Sequence, residues 1–178
     1  MDDLELIDVV DENNKVVGQS SRGEAHKKGH IHRAVNLFVF NSKGQLFLQQ
    51  RSKGRWVYPL GWDLSASEHV LAGENCRDAV IRSAKEELGI RIESLEKTRG
   101  PFLSKRTYQV NGGDFIDNEF VETYSTTYDG VFKLDGNELE DGRFYTIKEI
   151  EKLMKEGKTV FTPWFTDEWK EYKKLNLE

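Results

Sequence analysis

The sequence of 178 residues is poor in the features that mark secreted and membrane proteins. It has a single cysteine, so no intrachain disulfide can form, which fits a reducing compartment. It has no run of about 18 apolar residues that would predict a membrane span. Its first residues, MDDLELIDVVDE, are acidic where a signal peptide carries positive charge. We therefore expect a cytoplasmic protein without a membrane-spanning segment.

The chain also lacks an excess of positive charge, because it has 26 lysines and arginines against 31 aspartates and glutamates, a net charge of −5. This balance argues against a nucleic-acid polymer or an anionic membrane as a partner, since both require an excess of cations. A nucleotide or another small phosphorylated substrate needs only a local cationic patch and is not excluded. The chain has three prolines and neither a repeat nor a low-complexity tract, so residues 1–178 are predicted to form one domain.

The most informative segment that is present is an amphipathic stretch at residues 75–88. Few helix breakers interrupt it, its apolar residues share one side, and Gly89 follows it as a helix-ending residue. Residues three and four apart share a helix face, so position 83 is a predicted neighbour of Glu86 and Glu87. The two glutamates would form an oxygen-rich site suited to a hard cation such as Mg²⁺. A plain solvated helix face is the alternative interpretation.

The spacing around this helix resembles the signature of the Nudix hydrolases, G-x5-E-x7-R-E-U-x-E-E-x-G-U, in which U is a bulky apolar residue. Glu68 stands where the signature has its first glycine, and Ser83 stands where it has a metal-ligating glutamate. The resemblance implies an α/β fold in which a mixed β-sheet is sandwiched between helices, and catalysis that depends on Mg²⁺ or Mn²⁺. The positions that match are Glu74, Arg82, Glu86, Glu87, Gly89 and Ile90.

The order of the predicted elements fits this architecture. An N-terminal β-hairpin at residues 4–18 precedes a short helical turn at 21–29. Besides the signature helix, amphipathic helices are predicted at 147–155 and at 163–175, the second with a proline in its first turn. Strands are predicted at 32–40, 45–50, 62–67, 91–97, 102–110, 118–128 and 142–146.

All four histidines fall in the first 70 residues, and their context resembles the Nudix branch that contains the type 1 isopentenyl-diphosphate isomerases. In those isomerases, histidines and two glutamates of a distant strand hold a divalent metal. Residues two positions apart on a strand share a face, so Asp117 and Glu119 would point the same way. Glu122 would point to the other face. We favour His32 and His69 for the active site, with hydrogen-bonded structural histidines as the alternative. The set that the resemblance implies is His26, His32, His69, Asp117 and Glu119.

One position separates this chain from the isomerases. They carry a cysteine that transfers a proton at the allylic carbon, and here that position is Ser67. A serine hydroxyl is a far weaker acid than a thiol, and the sequence shows no neighbouring base to compensate. The lone Cys76 falls near the start of the signature helix, where it is predicted to be a small apolar residue. Isomerase activity is therefore disfavoured.

A diphosphate requires cationic donors opposite the metal. Arg51 follows a predicted strand and is the first candidate for this role. Lys53 and Arg55 lie on the loop after it, and Arg22 approaches from the N-terminal segment. Aromatic residues crowd the same loop, and Trp62 among them is predicted to bind substrate by stacking on a base or covering a prenyl chain. Packing in the core or in a lid is the alternative for these aromatic residues.

These residues together predict a metal-dependent hydrolase that cleaves a diphosphate bond in a nucleoside diphosphate linked to another group. A metal held by Glu86 and Glu87 would lower the pKa of a bound water, which Glu119 or Glu122 would orient or deprotonate. Glu68 would replace the carboxylate that the signature has lost, or else is an exposed loop residue. The competing hypotheses are an isopentenyl-diphosphate isomerase-like enzyme and a catalytically degenerate Nudix domain that binds a phosphorylated ligand. The hairpin and the aromatic C-terminal segment either pack in a homodimer or close the chain's own core.

Overall fold

A mixed β-sheet forms the centre of the computed structural model, which describes residues 4–110 and 112–176. Helices α1 and α2 are interspersed among the strands and two more helices follow them, so the α/β class predicted from the sequence is confirmed. The strands are β1 (Leu6–Val10), β2 (Val16–Ser21), β3 (His32–Phe40), β4 (Leu46–Arg51), β5 (Trp62–Asp63), β6 (Ala66–His69), β7 (Glu96–Val110), β8 (Gly113–Thr127) and β9 (Leu139–Tyr145). The helices are α1 (Arg22–Lys28), α2 (Cys76–Leu88), α3 (Ile147–Glu156) and α4 (Pro163–Asn176).

The position of β3 in the sheet decides which residues meet. The strand order is β5-β4-β3-β8-β7, while β6 also pairs with β3 and β9 pairs with β4. β3 runs parallel to β8 with His32 opposite Glu119, and antiparallel to β6 with Ala34 opposite His69. Ala34 also lies opposite Val121 of β8. This register brings residues that are far apart in the sequence to one end of β3.

The two faces of the sheet are covered by different helices. Successive side chains of a strand point to opposite faces, and β3 follows this rule. Val35 and Leu37 belong to the buried cluster that contains Val80 and Leu88 of α2. A second buried cluster joins β3 to α3 and α4 through Phe38, Ile150, Phe165 and Trp169. The sheet therefore lies between helices, as expected.

Helix α2 begins and ends where its sequence predicts. Asn75 caps its N-terminus, since the side chain accepts the N–H of Asp78 at 3.0 Å. Gly89 follows the last helical residue in the left-handed conformation, with φ of 65°. A Cβ atom at Gly89 would come within 2.8 Å of Lys133, so packing as well as conformation requires glycine there.

The N-terminal elements also agree with prediction. β1 and β2 form the hairpin, which extends to Ser21, and the predicted helical turn is α1. The Ser21 side chain accepts the N–H of Glu24 at 3.4 Å, and Gly29 ends the helix with φ of 68°. No helix among the described residues is long and apolar enough to cross a membrane.

The structure divides, joins or lengthens four of the predicted strands. The strand predicted at 62–67 is split into β5 and β6, because the chain passes from pairing with β4 to pairing with β3. The strands predicted at 91–97 and 102–110 are one strand, β7, which keeps its pairing to β8 through register shifts near Arg99. β8 starts at Gly113 rather than at residue 118, because the β7–β8 pairing continues towards the end of the hairpin.

Buried Asp63 ties β5 to α4 and to the end of β4. Its Oδ1 accepts hydrogen bonds from the N–H of Leu64 at 2.8 Å, Thr162 Oγ1 at 2.8 Å and Trp164 Nε1 at 2.6 Å. Its Oδ2 lies 3.2 Å from Nη1 of Arg51. A buried carboxylate that serves four donors is fully satisfied, and removing it leaves those donors without an acceptor.

The substitution Asp63→Ala is therefore expected to lower the free energy of unfolding by about 3–5 kcal/mol, because it breaks a buried ion pair and its hydrogen bonds. Urea denaturation of the variant and the wild type measures this loss. The matched control is Asp141→Ala, whose exposed carboxylate lies 4.0 Å from Arg143 and should contribute less than about 1 kcal/mol. A similar small loss in both variants would contradict the assigned role of Asp63.

Candidate active site

A cleft of about 440 Å³ is lined by residues of α1, β3, β6, β8, α4 and the loop that follows β4. Its walls carry both signs of charge together with aromatic rings. The cationic side chains are Arg22, Arg51, Arg55 and Arg106. The aromatic ones are Trp56, Phe102, Tyr108, Phe115 and Trp164. The acidic ones include Glu68, Glu86, Asp117, Glu119 and Glu138.

Three histidines and an aspartate converge beside this cleft. One potential ligand atom from each of His26, His32, His69 and Asp117 lies within 4.8 Å of the others. His26 Nε2 is 3.2 Å from His69 Nε2 and 3.6 Å from Asp117 Oδ1. Glu119 Oε1 is 3.6 Å from His32 Nε2 and 3.4 Å from His69 Nε2. The structure thus brings together the whole set that the resemblance implied.

His26 lies with His32 and His69, the two histidines that the sequence favours for the active site. Its helix, α1, has seven residues, and its inward face buries Ala25 and His26. The helix is held against β8 because Asn118 Nδ2 donates to the carbonyl of Gly29 at 2.8 Å. The Ser21 cap and the helix-ending glycine are local signals for α1. The direction of the His26 ring depends instead on packing against β8, where the ring also stacks on Phe115 with centroids 4.2 Å apart.

The tautomer of His32 suits metal binding. Its Nδ1 lies 2.9 Å from the carbonyl oxygen of His30, and donation there leaves Nε2 facing Glu119 and Asp117. Burial by itself would lower the pKa of His32, but the hydrogen bond and charge of Glu119 raise it above its ordinary value. Burial, and then the charge of Asp117, raises the pKa of Glu119. Burial, followed by the charge of Arg22, holds the pKa of His69 well below its ordinary range.

The cluster is chemically suited to a divalent cation. Two buried atoms that face the cluster, His32 Nε2 and Asp117 Oδ1, have no hydrogen-bond partner among the described residues. Buried polar atoms are normally satisfied, so a group of such atoms suggests an additional ligand. Imidazole nitrogens together with carboxylate oxygens are donors that divalent transition metals accept, and the carboxylates also suit Mg²⁺ or Mn²⁺.

The paired glutamates of α2 have different surroundings. Glu87 is 3% exposed and accepts hydrogen bonds from Ser83 Oγ at 2.7 Å, Gln49 Nε2 at 3.1 Å and the N–H of Ser67 at 3.3 Å. Burial, and then the charge of nearby Glu68, raises the pKa of Glu87 to about 8. The serine that replaces a signature glutamate is therefore a hydrogen-bond donor to Glu87.

Glu86, by contrast, is exposed and lines the cleft. It lies 3.3 Å from Arg82, which also donates to both carboxylate oxygens of Glu74 at 3.1 and 3.0 Å and to the carbonyl of His69 at 2.9 Å. Arg82 thus links α2 to the end of β6. Among the signature residues it has a clear positioning function, because it fixes the backbone that carries His69.

Most of the cationic residues predicted to bind phosphate line the cleft, and one does not. Arg22 and Arg51 line the cleft, and Arg51 is held by the carbonyl of Val57 at 3.0 Å and by Asp63. Lys53 is exposed and is not one of the lining residues. The cleft also includes Arg106, which is not among the cationic residues predicted from the sequence.

The expectation that Trp62 contacts substrate needs correction. It is 7% exposed and belongs to the hydrophobic cluster between the sheet and helices α3 and α4. It points there because β5 is paired between β4 and the segment around Phe161. Trp56 and Trp164 line the cleft instead, and the ring centroid of Trp164 is 5.2 Å from the guanidinium carbon of Arg51.

Of the two acidic residues considered as the base on β8, only Glu119 lines the cleft. Glu122 pairs with Lys97 at 2.7 Å and is outside the cleft lining. The alternation along the strand accounts for this separation, because the two residues are an odd number of positions apart. It agrees with the expected orientation of Glu122.

The raised pKa of Glu87 predicts a pH-dependent stability for the metal-free protein. Between its ordinary value of 4.5 and about 8, the folded state holds a proton that the unfolded state releases, so stability falls as pH rises. The substitution Glu87→Gln removes this fall. In EDTA, urea denaturation should therefore show a gain for the variant over the wild type that is larger at pH 8 than at pH 5 by on the order of 3 kcal/mol.

The control for this measurement is Glu86→Gln, because Glu86 is exposed on the same helix. Its effect on stability should be small and equal at the two pH values. A gain for Glu87→Gln that does not change with pH would show that this carboxyl group titrates normally. Gln49 offers an acceptor for the new amide, since its Oε1 has no partner among the described residues.

Comparison with known proteins agrees with this geometry. The family model described as NUDIX domain matches residues 30–165. The chain is 36% identical over 163 residues to an uncharacterized Nudix hydrolase of Listeria monocytogenes, covering 91% of this chain and 90% of that protein. It is 32% identical over 167 residues to isopentenyl-diphosphate Delta-isomerase 1 of Photorhabdus laumondii, covering 93% of each.

A solved structure is similar over nearly the whole length. The crystal structure of a Deinococcus radiodurans protein, DR0079, superimposes with a TM-score of 0.72 at 25% identity, covering 97% of this chain and 99% of that one. The fold, the family model and the curated relatives therefore agree, and the chain belongs to the Nudix family.

Proposed function

We propose that the protein is a divalent-metal-dependent hydrolase that cleaves a diphosphate bond in a nucleoside diphosphate linked to another group. The main support is the histidine–carboxylate cluster, whose buried atoms without partners adjoin a cleft that also carries arginines. A phosphorylated substrate matches both features, because its oxygens bind a metal ion as well as arginine side chains. The aromatic side chains of the cleft provide surfaces for the base.

Metal binding and proton transfer are assigned to residues of the histidine–carboxylate cluster. His26, His32 and His69 would hold the cation together with Asp117 and Glu119. When bound, such a cation neutralises phosphate charge and lowers the pKa of a water. The raised pKa of Glu119 favours its acting as the group that takes a proton from the attacking water.

The cationic side of the cleft would bind the phosphates. Arg51 is preorganised by Asp63 and by the carbonyl of Val57, so little side-chain freedom is lost when it binds an anion. Arg22 reaches the cleft from the N-terminal segment. Glu86 and Glu87 are further proposed ligands for a cation, with Glu86 already at the cleft and Glu87 buried behind Ser67.

The first test is turnover of a panel that contains nucleoside diphosphates, dinucleotides, sugar nucleotides and isopentenyl diphosphate, with Mg²⁺ or Mn²⁺. We expect metal-dependent release of a mononucleotide or phosphate by the wild type. Glu119→Gln should lower kcat by about 10²–10⁴ if this residue is the general base. Glu122→Gln removes the same charge from the same strand outside the cleft and should leave kcat within about twofold, an effect of the size expected at a remote surface position.

The outcomes of this test are distinct. Equal losses in the two variants would point to a general effect on β8 instead of catalysis by Glu119. Metal and diphosphate binding by the wild type without turnover of any panel member would overturn the hydrolase proposal and favour a Nudix domain that only binds its ligand.

A second candidate function is isomerisation of a prenyl diphosphate. It is favoured by the similarity to a protein named isopentenyl-diphosphate Delta-isomerase 1, which extends over 93% of both chains. Against it stands Ser67, whose hydroxyl lines the cleft and donates to Asn36 Oδ1 at 2.9 Å. A hydroxyl held in this way supplies no thiol chemistry.

We expect the wild type not to exchange allylic protons of isopentenyl diphosphate, and Ser67→Cys not to do so either. NMR detection of deuterium incorporation from heavy water measures both. Exchange by Ser67→Cys alone would show that the cleft accepts a prenyl diphosphate and would contradict the proposed nucleotide substrate. Ser67→Ala serves as the control for side-chain removal.

A further inference from the structure

Glu68 occupies the glycine position of the Nudix signature, and its side chain is oriented towards His69. The carboxylate is 16% exposed and lines the cleft. Its Oε1 accepts the backbone N–H of His69 at 2.8 Å. Its Oε2 lies 3.7 Å from Nη1 of Arg82. Glu68 is therefore held at the end of β6, directly beside a residue of the histidine cluster.

The two ring nitrogens of His69 have different surroundings. Nε2 faces the cluster, 3.2 Å from His26 Nε2 and 3.4 Å from Glu119 Oε1. Nδ1 is buried and has no hydrogen-bond partner among the described residues. A carboxylate oxygen, Oε1 of Glu68, lies 3.8 Å from this nitrogen. A carboxylate oxygen has more than one acceptor site, so Oε1 can accept a second proton donor besides the backbone amide.

His32 shows the arrangement that His69 lacks. Its Nδ1 donates to the carbonyl of His30 at 2.9 Å, so in the neutral ring Nε2 carries no proton and is directed at the carboxylates. Histidines that bind metals through one ring nitrogen generally donate the other N–H to a carboxylate or a carbonyl. Without such an acceptor, the buried ring of His69 has no group that selects the tautomer with a free Nε2.

We propose that Glu68 is the positioning residue of His69: its carboxylate accepts the Nδ1–H and keeps Nε2 free for a divalent cation. This inference rests on the proposed function, because it assumes that the histidine cluster binds the cation. Glu68 Oε1 and His69 Nδ1 must approach each other by about 1 Å to reach an ordinary hydrogen-bond distance. Glu68 thus acts through His69, and not as a substitute for the glutamate missing at position 83.

The tautomer of His69 is the direct test. The chain has four histidines, so a ¹⁵N-histidine long-range correlation spectrum of the metal-free protein is simple, and loss of signals in His69→Gln assigns the ring. In the wild type we expect the pattern of a neutral ring protonated at Nδ1. Glu68→Ala should shift it towards protonation at Nε2, whereas Glu68→Gln should retain most of the wild-type pattern because the amide oxygen still accepts a hydrogen bond. An identical pattern in all three proteins would overturn the proposal.

Metal affinity is the second readout, measured by isothermal titration of Mn²⁺. Loss of an outer hydrogen-bond partner typically weakens binding 10- to 100-fold, so we expect at least about tenfold for Glu68→Ala and less for Glu68→Gln. The charge-matched control is Asp141→Asn, which removes an exposed carboxylate that is not among the residues lining the cleft. Its affinity should stay within about threefold of wild type, because screened charges at a surface act weakly.

His32→Ala separates failure of this inference from failure of the proposed function. If His32→Ala binds Mn²⁺ like the wild type, the proposed metal centre is wrong. If His32→Ala loses binding while Glu68→Ala keeps both the affinity and the His69 tautomer, the centre stands and the role of Glu68 is wrong. A loss caused by Glu68→Ala that persists undiminished in the His32→Ala background would assign Glu68 to the α2 carboxylates and would also overturn the proposal.

Discussion

The pairing of β3 with two other strands is the constraint on which the candidate site depends. Parallel pairing with β8 sets His32 opposite Glu119, and antiparallel pairing with β6 sets Ala34 opposite His69. Because side chains alternate along a strand, a slip of one residue would send these polar groups towards the α2 core and its apolar residues towards the cleft. The hydrophobic pattern of β3, buried at Val35 and Leu37, therefore also fixes the register of the chemistry.

Helix α2 holds neighbouring residues in position through hydrogen bonds, and only part of its acidic surface is exposed. Arg82 binds Glu74 with two hydrogen bonds and donates to the carbonyl of His69, so it links the helix to the end of β6. Ser83 directs the carboxyl group of Glu87 inward, where Gln49 and a backbone amide also bind it. The departure from the signature at position 83 thus has a local structural explanation, since the hydroxyl replaces a negative charge with a donor.

The cleft contains anionic and cationic side chains close together. Buried imidazoles and carboxylates in close contact are costly without a compensating charge, and several of their atoms have no partner in the described part of the chain. Cationic side chains stand in the same cleft, and Arg51 is anchored through Asp63 to α4. The C-terminal helix consequently contributes both an aromatic wall, Trp164, and the anchor of a candidate phosphate ligand.

The sequence by itself determined the local elements and the chemical kind of site. Helix α2, with its Asn75 cap and Gly89 end, follows from short-range preferences, and the resemblance to the isomerase-containing Nudix branch named His32, His69 and Glu119 as candidates. Only the tertiary structure decided that Trp62 is buried in the core, that His26 joins the cluster, and that Glu87 faces inward while Glu86 faces out. Capping and periodicity act over a few neighbouring residues, whereas these outcomes depend on strand pairing and burial between segments far apart in the chain.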